Sequence, residues 1–372
     1  RSEDVVHVVM TDHAIPRRPP DGDPLAPLRE RLGPRYRGEV QPYYPATLPD
    51  TAEVRLTIAL AQVTDDSNTA AGALRLREAI ERMNSPPVKA LVELARAYGR
   101  LSQHSEAARW FAAAIERRPA DSGPRVAFGR WLLASGDAHA AVEQLRSARH
   151  IEPASPRIAA DLGTALVMAK NPAEAAIVLQ DAVRRHPDLA VAHNGLGLAY
   201  QGTGRVAQAI SAFREAIRVQ PDYSEAWVNL GIALAGSGHR PEARAAFERA
   251  LHHDPRSAGA HHNYGLLLME SGDRNRAEEH FRTAFELDPS SDASRVSLAF
   301  LLLAKDRHAE AVALLETVIQ RTPDFAQARL YLGVALAAQG KTAAARAHLH
   351  RAASSEDPAV RRAAEQHLRQ TR

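Results

Sequence analysis

Cysteine is absent from the 372 residues, which excludes disulfides, thiol catalysis and cysteine-ligated metal within this chain. The absence leaves the compartment open, because a chain without thiols is equally at home in oxidising and reducing surroundings. Aromatic residues make up only 5% of the sequence, and the formal net charge is +3, with arginine far outnumbering lysine. A nucleic-acid partner is not expected from this balance, since phosphate binding needs a concentrated basic face and base stacking needs aromatic rings. No run of twenty apolar residues occurs, so no segment reads as a membrane-spanning helix. Catalytic signatures are missing as well: there is no G-x-S-x-G, no glycine-rich phosphate loop and no carboxylate pair outside exposed helix faces. The chain reads as a non-enzyme. It has no signal peptide yet opens on Arg1 instead of methionine, and the expectation is a fragment or a processed product.

What is present is periodic. Pro119, Pro153, Pro187, Pro221, Pro255, Pro289 and Pro323 each follow the last by 34 residues. Proline removes a backbone donor and clashes with the preceding turn, so each must end a helix. Counting back from the prolines, a small residue recurs at Ala95, Gly129, Gly163, Gly197, Gly231, Gly265, Ala299 and Gly333, each after a large apolar one. Twelve residues beyond stands an alanine (Ala107 to Ala345), and four further a large residue, among them Phe111, Leu145, Phe213 and Phe247. Each unit thus encodes two amphipathic helices. The small pair is expected where they cross, because helix axes approach to about 8 Å only when the contact residues lack bulk. Gly136, Gly204, Gly238, Gly272 and Gly340 are expected to supply the left-handed backbone between the two helices. A repeat of this length overrides the two or three domains that chain length alone would suggest.

These columns resemble the tetratricopeptide repeat (TPR), with its Leu-Gly pair, its fixed alanines, its Phe and its Pro. The resemblance covers residues 88–359 as eight units and implies an all-α, right-handed superhelical solenoid of antiparallel helix pairs with a concave groove lined by first helices. Residues 51–87 keep Leu60, Ala61 and Ala73 but place Arg77 in the Phe column, and read as a degenerate helix pair. Residues 360–372 read as a capping helix after Asp357 and Pro358, with Arg361, Arg362, Glu365 and Arg369 on its outer side, as the end of a solenoid requires.

Residues 1–50 follow other rules: they are dense in proline and lack hydrophobic periodicity, so they read as an irregular segment. Within it DVVHVVMTDH, residues 4–13, followed by IPRRPP and then YRGEV and YYP, is similar to the linker of multihaem c-type cytochromes that carry a C-terminal TPR array. The similarity implies an upstream haem domain in a longer parent, haem c there and none within this chain, which has no C-x-x-C-H. It further implies His7, or His13, as a haem axial ligand, with Arg17 and Arg18 at propionates, electron transfer by the parent, and a periplasmic or extracellular location. The plain alternative is a loop with two histidines and a solvated basic turn, which keeps the cytoplasm open.

Two further histidine pairs, His252 with His253 and His261 with His262, suggest metal, but the repeat register separates them and no carboxylate or cysteine completes a set. The binding candidates lie in the groove. The family's concave positions fall on Lys89, Arg96, Arg100, Arg130 and Arg157 in the early units. In the later ones they fall on Asn194, Val228, Asn229, Ile232, His262, Leu266, Met269, Phe300, Leu303 and Val334. The basic part suits an acidic segment and the apolar part a helix or extended chain with hydrophobic anchors. The alternative is that the arginines merely solvate a face and the apolar stripe packs on the chain's own terminus.

Three readings follow: the C-terminal arm of an extracytoplasmic multihaem cytochrome, acting as a protein- or peptide-binding scaffold; a free-standing TPR scaffold; and the repeat region of a glycosyltransferase-like protein. The last is suggested by Asn229 and Asn263 one repeat apart, a ladder that Ser297 and Tyr331 do not continue. Nothing in the sequence sets the oligomeric state or the groove ligand.

Overall fold

The computed structural model describes residues 51–64 and 69–371. His7, His13, Arg17, Arg18 and the whole proline-rich segment 1–50 lie outside the described residues. The fold is all-α: among the described residues every regular element is a helix. The chain divides into two compact units between Glu174 and Ala175. The first holds α1 (Ala52–Thr64), α2 (Thr69–Glu81), α3 (Val88–Arg100), α4 (His104–Arg117), α5 (Ser122–Ala134), α6 (Ala138–Ile151) and α7 (Pro156–Met168). The division falls within α8 (Pro172–Arg185). The second unit continues with α9 (Ala190–Gly202), α10 (Val206–Val219), α11 (Ser224–Gly236), α12 (Arg240–His253), α13 (Ala258–Glu270) and α14 (Arg274–Leu287). It ends with α15 (Asp292–Leu303), α16 (His308–Arg321), α17 (Ala326–Ala338), α18 (Thr342–Ala353) and α19 (Pro358–Gln370).

Local chemistry sets the helix ends. Each recurring proline stands two residues after a second helix stops, as Pro119 does after Arg117 and Pro323 after Arg321, and the residue before it leaves the helical region (Arg118 φ −141°, ψ 81°), which a following proline disfavours. Asp137 and Asp273 accept the backbone N–H of Ala140 and Arg276, each satisfying a donor that an N-terminal turn leaves open. Between the helices of a pair the chain turns through positive φ, at Gly136 (88°) and its four glycine equivalents, but also at Ser102, Lys170 and Asp306 (57–59°). Those three carry a Cβ in a conformation that glycine adopts freely.

The close contact within a pair differs in detail from the expected small-on-small crossing. The place that a Cβ on Gly231 would take lies 2.8 Å from the Phe247 ring, and Gly265, Gly129 and Gly333 stand in the same way against Phe281, Leu145 and Leu349. The glycine therefore makes room for the large residue sixteen positions on, while the column alanines are wholly buried beside it. A second repeat-register contact was not visible in the apolar pattern. In the second unit the side chain six residues after the proline donates to that proline's carbonyl: His193 (3.0 Å), Trp227 (2.9 Å), His261 (3.1 Å), Arg295 (2.6 Å) and Arg329 (2.5 Å). Three residue types serve because the position requires only an N–H on a long side chain.

The contact yields a paired test. Gly231→Leu is expected to lower stability by about 1–3 kcal/mol or more, the range for overpacking a filled core. Gly236→Ala, at the end of the same helix with nothing near its Cβ position, is expected to be neutral or to gain about 0.5 kcal/mol. Equal midpoints for both variants in urea unfolding would refute the glycine–phenylalanine contact.

Candidate functional site

In the first unit Arg96 and Arg100 on α3 and Arg130 on α5 come together around a concavity of about 410 Å³. Its floor is aromatic. Trp131 lies against Gly99, where any Cβ would collide with the indole nitrogen; its ring is 5.9 Å from Phe128, which stacks on Phe111 at 5.0 Å. His104 is also in the lining. Lys89 and Arg157 are exposed but do not line this concavity.

The arginines are not a bare basic stripe. Arg96 pairs with Glu93 at 2.8 Å, Arg130 grips Asp161 through two nitrogens at 2.9 and 2.7 Å, and Arg100 donates to the Val63 carbonyl. In both ion pairs the carboxylate is the more buried partner, 11% exposed against 44% for Arg96 and 20% against 51% for Arg130. The guanidiniums therefore face outward, and with five N–H groups each they retain donors that the pairs do not use. Their field is weaker than three uncompensated charges would give. Glu93 and Asp161 are residues that the column reading missed; the carboxylates were in plain sight, but nothing in the spacing says that they turn toward the groove arginines.

In the second unit the candidates separate into three settings. Asn194 on α9 is 3% exposed; its Oδ1 accepts from Asn229 on α11 at 2.9 Å, and its amide faces Tyr223 and Glu225 at 3.4 Å. Burial, followed by the charge of Glu225, pushes the Tyr223 phenol up to about 12. The ladder stops there, because Asn263 donates to the Gly259 carbonyl of its own helix (2.8 Å) and not to the next unit. Val228, Ile232, Leu266 and Met269 are half-buried along α11 and α13. Phe300 and Leu303 on α15 and Val334 on α17 meet Leu330 and Tyr331 around a cavity of about 440 Å³, whose last wall is Val360 and Ala363 of α19. The apolar stripe thus does meet the chain's own final helix, without being filled by it.

The histidines are engaged locally. His262 contacts the Ser294 hydroxyl at 3.3 Å, and burial lowers its basicity. His261 bonds the Pro255 carbonyl through Nε2, so its Nδ1 is the acceptor for His280 Nδ1–H at 2.9 Å. The His252 and His253 rings meet edge to face with centroids 5.3 Å apart. Among the described residues no group of three or more His, Asp or Glu side chains is arranged to hold a metal ion, and no helix is long and apolar enough to cross a membrane.

His280 generates a pH prediction. Burial foremost, then the neighbouring His261 and Arg276, lower its pKa to about 4, against about 6.5 in an unfolded chain. The unfolded state therefore binds the proton first, so the contribution of neutral His280 is complete above pH 6.5 and is lost as pH falls toward 4. Since the ring is only half-buried, about 1 kcal/mol is expected over this window after allowance for solvent screening. Urea unfolding at pH 7 and pH 4.5 should show a smaller loss for His280→Phe than for the parent; equal losses would contradict the assignment.

Comparison with known families places tetratricopeptide-repeat models on residues 88–121, 132–197 and 188–256. The middle TPR-like domain of cilia and flagella-associated protein 70 matches residues 242–367. No curated protein matches. Similar solved structures include a thermophilic TPR protein of Thermus thermophilus, at 24% identity over 49% of this chain and 99% of that one, with a TM-score of 0.46. A tetratricopeptide repeat protein of Parabacteroides merdae is 20% identical over 67% of this chain and 98% of its own, with a TM-score of 0.49. The pilF protein of Pseudomonas aeruginosa is 19% identical over 54% and 92%, with a TM-score of 0.46.

Proposed function

We propose that this tetratricopeptide-repeat protein is an interaction scaffold that holds a segment of a partner protein against the concave faces of its first helices. The observation that carries the reading is the open apolar cavity at Phe300, Leu303, Tyr331 and Val334. Phe300 is 39% exposed there, and a large aromatic beside an unfilled cavity is the kind of residue that dominates binding energy at interfaces. The concavity that Arg96, Arg100 and Arg130 line supports a second contact with an acidic stretch through the outward donors of Arg96 and Arg130. That contact sets the encounter rate more than the affinity.

The two contributions are separable by kinetics. Charge reversal at Arg96 and Arg130 should slow association with the partner and flatten its salt dependence, while Phe300→Ala should mainly speed dissociation, by about tenfold or more. Surface plasmon resonance against a partner recovered by the parent chain reads both rates. Unchanged rates for both variants would sink the proposal.

A second reading makes the array the C-terminal arm of an extracytoplasmic multihaem cytochrome. It is supported by residues 4–13, where imidazole at His7 or His13 and flanking valines suit haem ligation in a water-poor setting. In a parent that carries the attachment cysteines, His7→Ala or His13→Ala should abolish one low-spin haem signal in low-temperature magnetic resonance. Spectra unchanged by both substitutions would leave residues 4–13 as a plain linker.

A further inference from the structure

We propose that the cavity between α15, α17 and α19 is a pocket for a cationic side chain on an apolar stem, a lysine or arginine set between apolar residues of a partner segment. This rests on the scaffold reading and names the chemistry recognised at one of its sites. The lining is largely aliphatic, with Leu303, Val334, Val360 and Ala363 around about 440 Å³, a volume within the range of pockets that enclose a discrete group. Phe300 and Tyr331 add tilted rings with centroids 5.0 Å apart, and ring faces attract a cation. Asp357 is the one acidic side chain in the lining.

Asp357 caps α19 by accepting the Ala359 N–H at 2.8 Å through Oδ1. Two arginines lie one turn along the same helix, yet neither forms an ion pair with it: Arg361 donates to the Ser355 carbonyl and Arg362 to the Pro358 carbonyl, each at 3.0 Å. The carboxylate thus keeps acceptor capacity at a cavity whose other polar lining residues are Gln327 and His367, and no ion pair to a described residue uses it. An acidic occupant would meet both that carboxylate and the negative ring faces; a purely apolar one would cover a charge without answering it. A cation on a hydrocarbon stem satisfies both halves of the pocket, as long basic side chains do wherever apolar surface adjoins a polar edge. The exposed Arg361 and Arg362 oppose this only weakly, because their charges are solvated and screened; exposed Glu356, next to Asp357 in sequence, adds a charge of the opposite sign.

The test is selection of a random peptide library on the full chain, with enriched peptides remeasured by fluorescence anisotropy. The expected peptides carry Lys or Arg between apolar residues. They should bind Asp357→Asn roughly fivefold or more weaker and Phe300→Ala about tenfold weaker. Asparagine caps a helix as well as aspartate, so Asp357→Asn keeps α19 in place, and an unchanged thermal transition verifies this. Replacing the peptide's Lys by norleucine should remove the difference between the parent and Asp357→Asn. Enriched peptides that are acidic, or that bind both variants like the parent, overturn the pocket while leaving the scaffold reading standing. A library from which nothing is enriched overturns both.

Discussion

The molecule depends on one contact, repeated: a glycine or alanine of a first helix receiving the large residue sixteen positions later on its partner. Phe213, Phe247, Phe281, Leu145 and Leu349 are all buried to within 1%, and each seated side chain contributes about 1.5–3 kcal/mol of transfer free energy. It can be seated only because the facing position lacks bulk. These contributions are not confined to single pairs: in the first unit the buried residues of α1 to α5 form one continuous cluster. The seated side chains lie between the two helices of a pair, which leaves the groove positions free to vary in chemistry.

That freedom is visible in how differently the two units present themselves. In the first, the concave side carries guanidiniums whose charges are half answered by more buried carboxylates, beside Trp131, whose ring is backed by Phe128 and Phe111. An ion pair of this exposed kind contributes little to stability, and its arrangement, carboxylate inside and guanidinium outside, orients donors toward whatever enters. In the second, the concave residues pass from an amide pair, buried Asn194 with half-buried Asn229, to half-buried aliphatics and then to the open cavity at Phe300. The scaffold is the same; the exposed chemistry is not.

The periodic part of this was legible from residues alone because it is local. A proline that stops a helix, a glycine at positive φ and a small residue facing a large one sixteen positions on act within one unit, so each leaves a mark at a fixed spacing. Even so, the glycine's partner was misjudged: the alanine column is just as regular as the Phe column, and spacing does not say which of two buried neighbours fills the gap. The proline-carbonyl donors were hidden for a different reason. His193, Trp227, His261, Arg295 and Arg329 share no hydropathy, only an N–H at a given reach, and a reading by apolarity sorts them into different classes.

The concave sites were half legible. Phe300, Leu303 and Val334 were assigned to one stripe and do meet, since their positions follow from the register. What the register does not carry is the wall that closes them. Val360 and Ala363 belong to α19, a first helix with no second helix after it among the described residues, and its apolar face turns toward α17 and α18. Its exposed side carries Arg361, Glu365 and Arg369, while Val360, Ala363 and Leu368 pack with Leu330 and Leu349. Phe300 nonetheless stays 39% exposed beside the cavity. The opening is thus bordered both by repeat positions and by α19 with its N-cap Asp357, so its chemistry combines apolar residues that the register places with a carboxylate that the register does not.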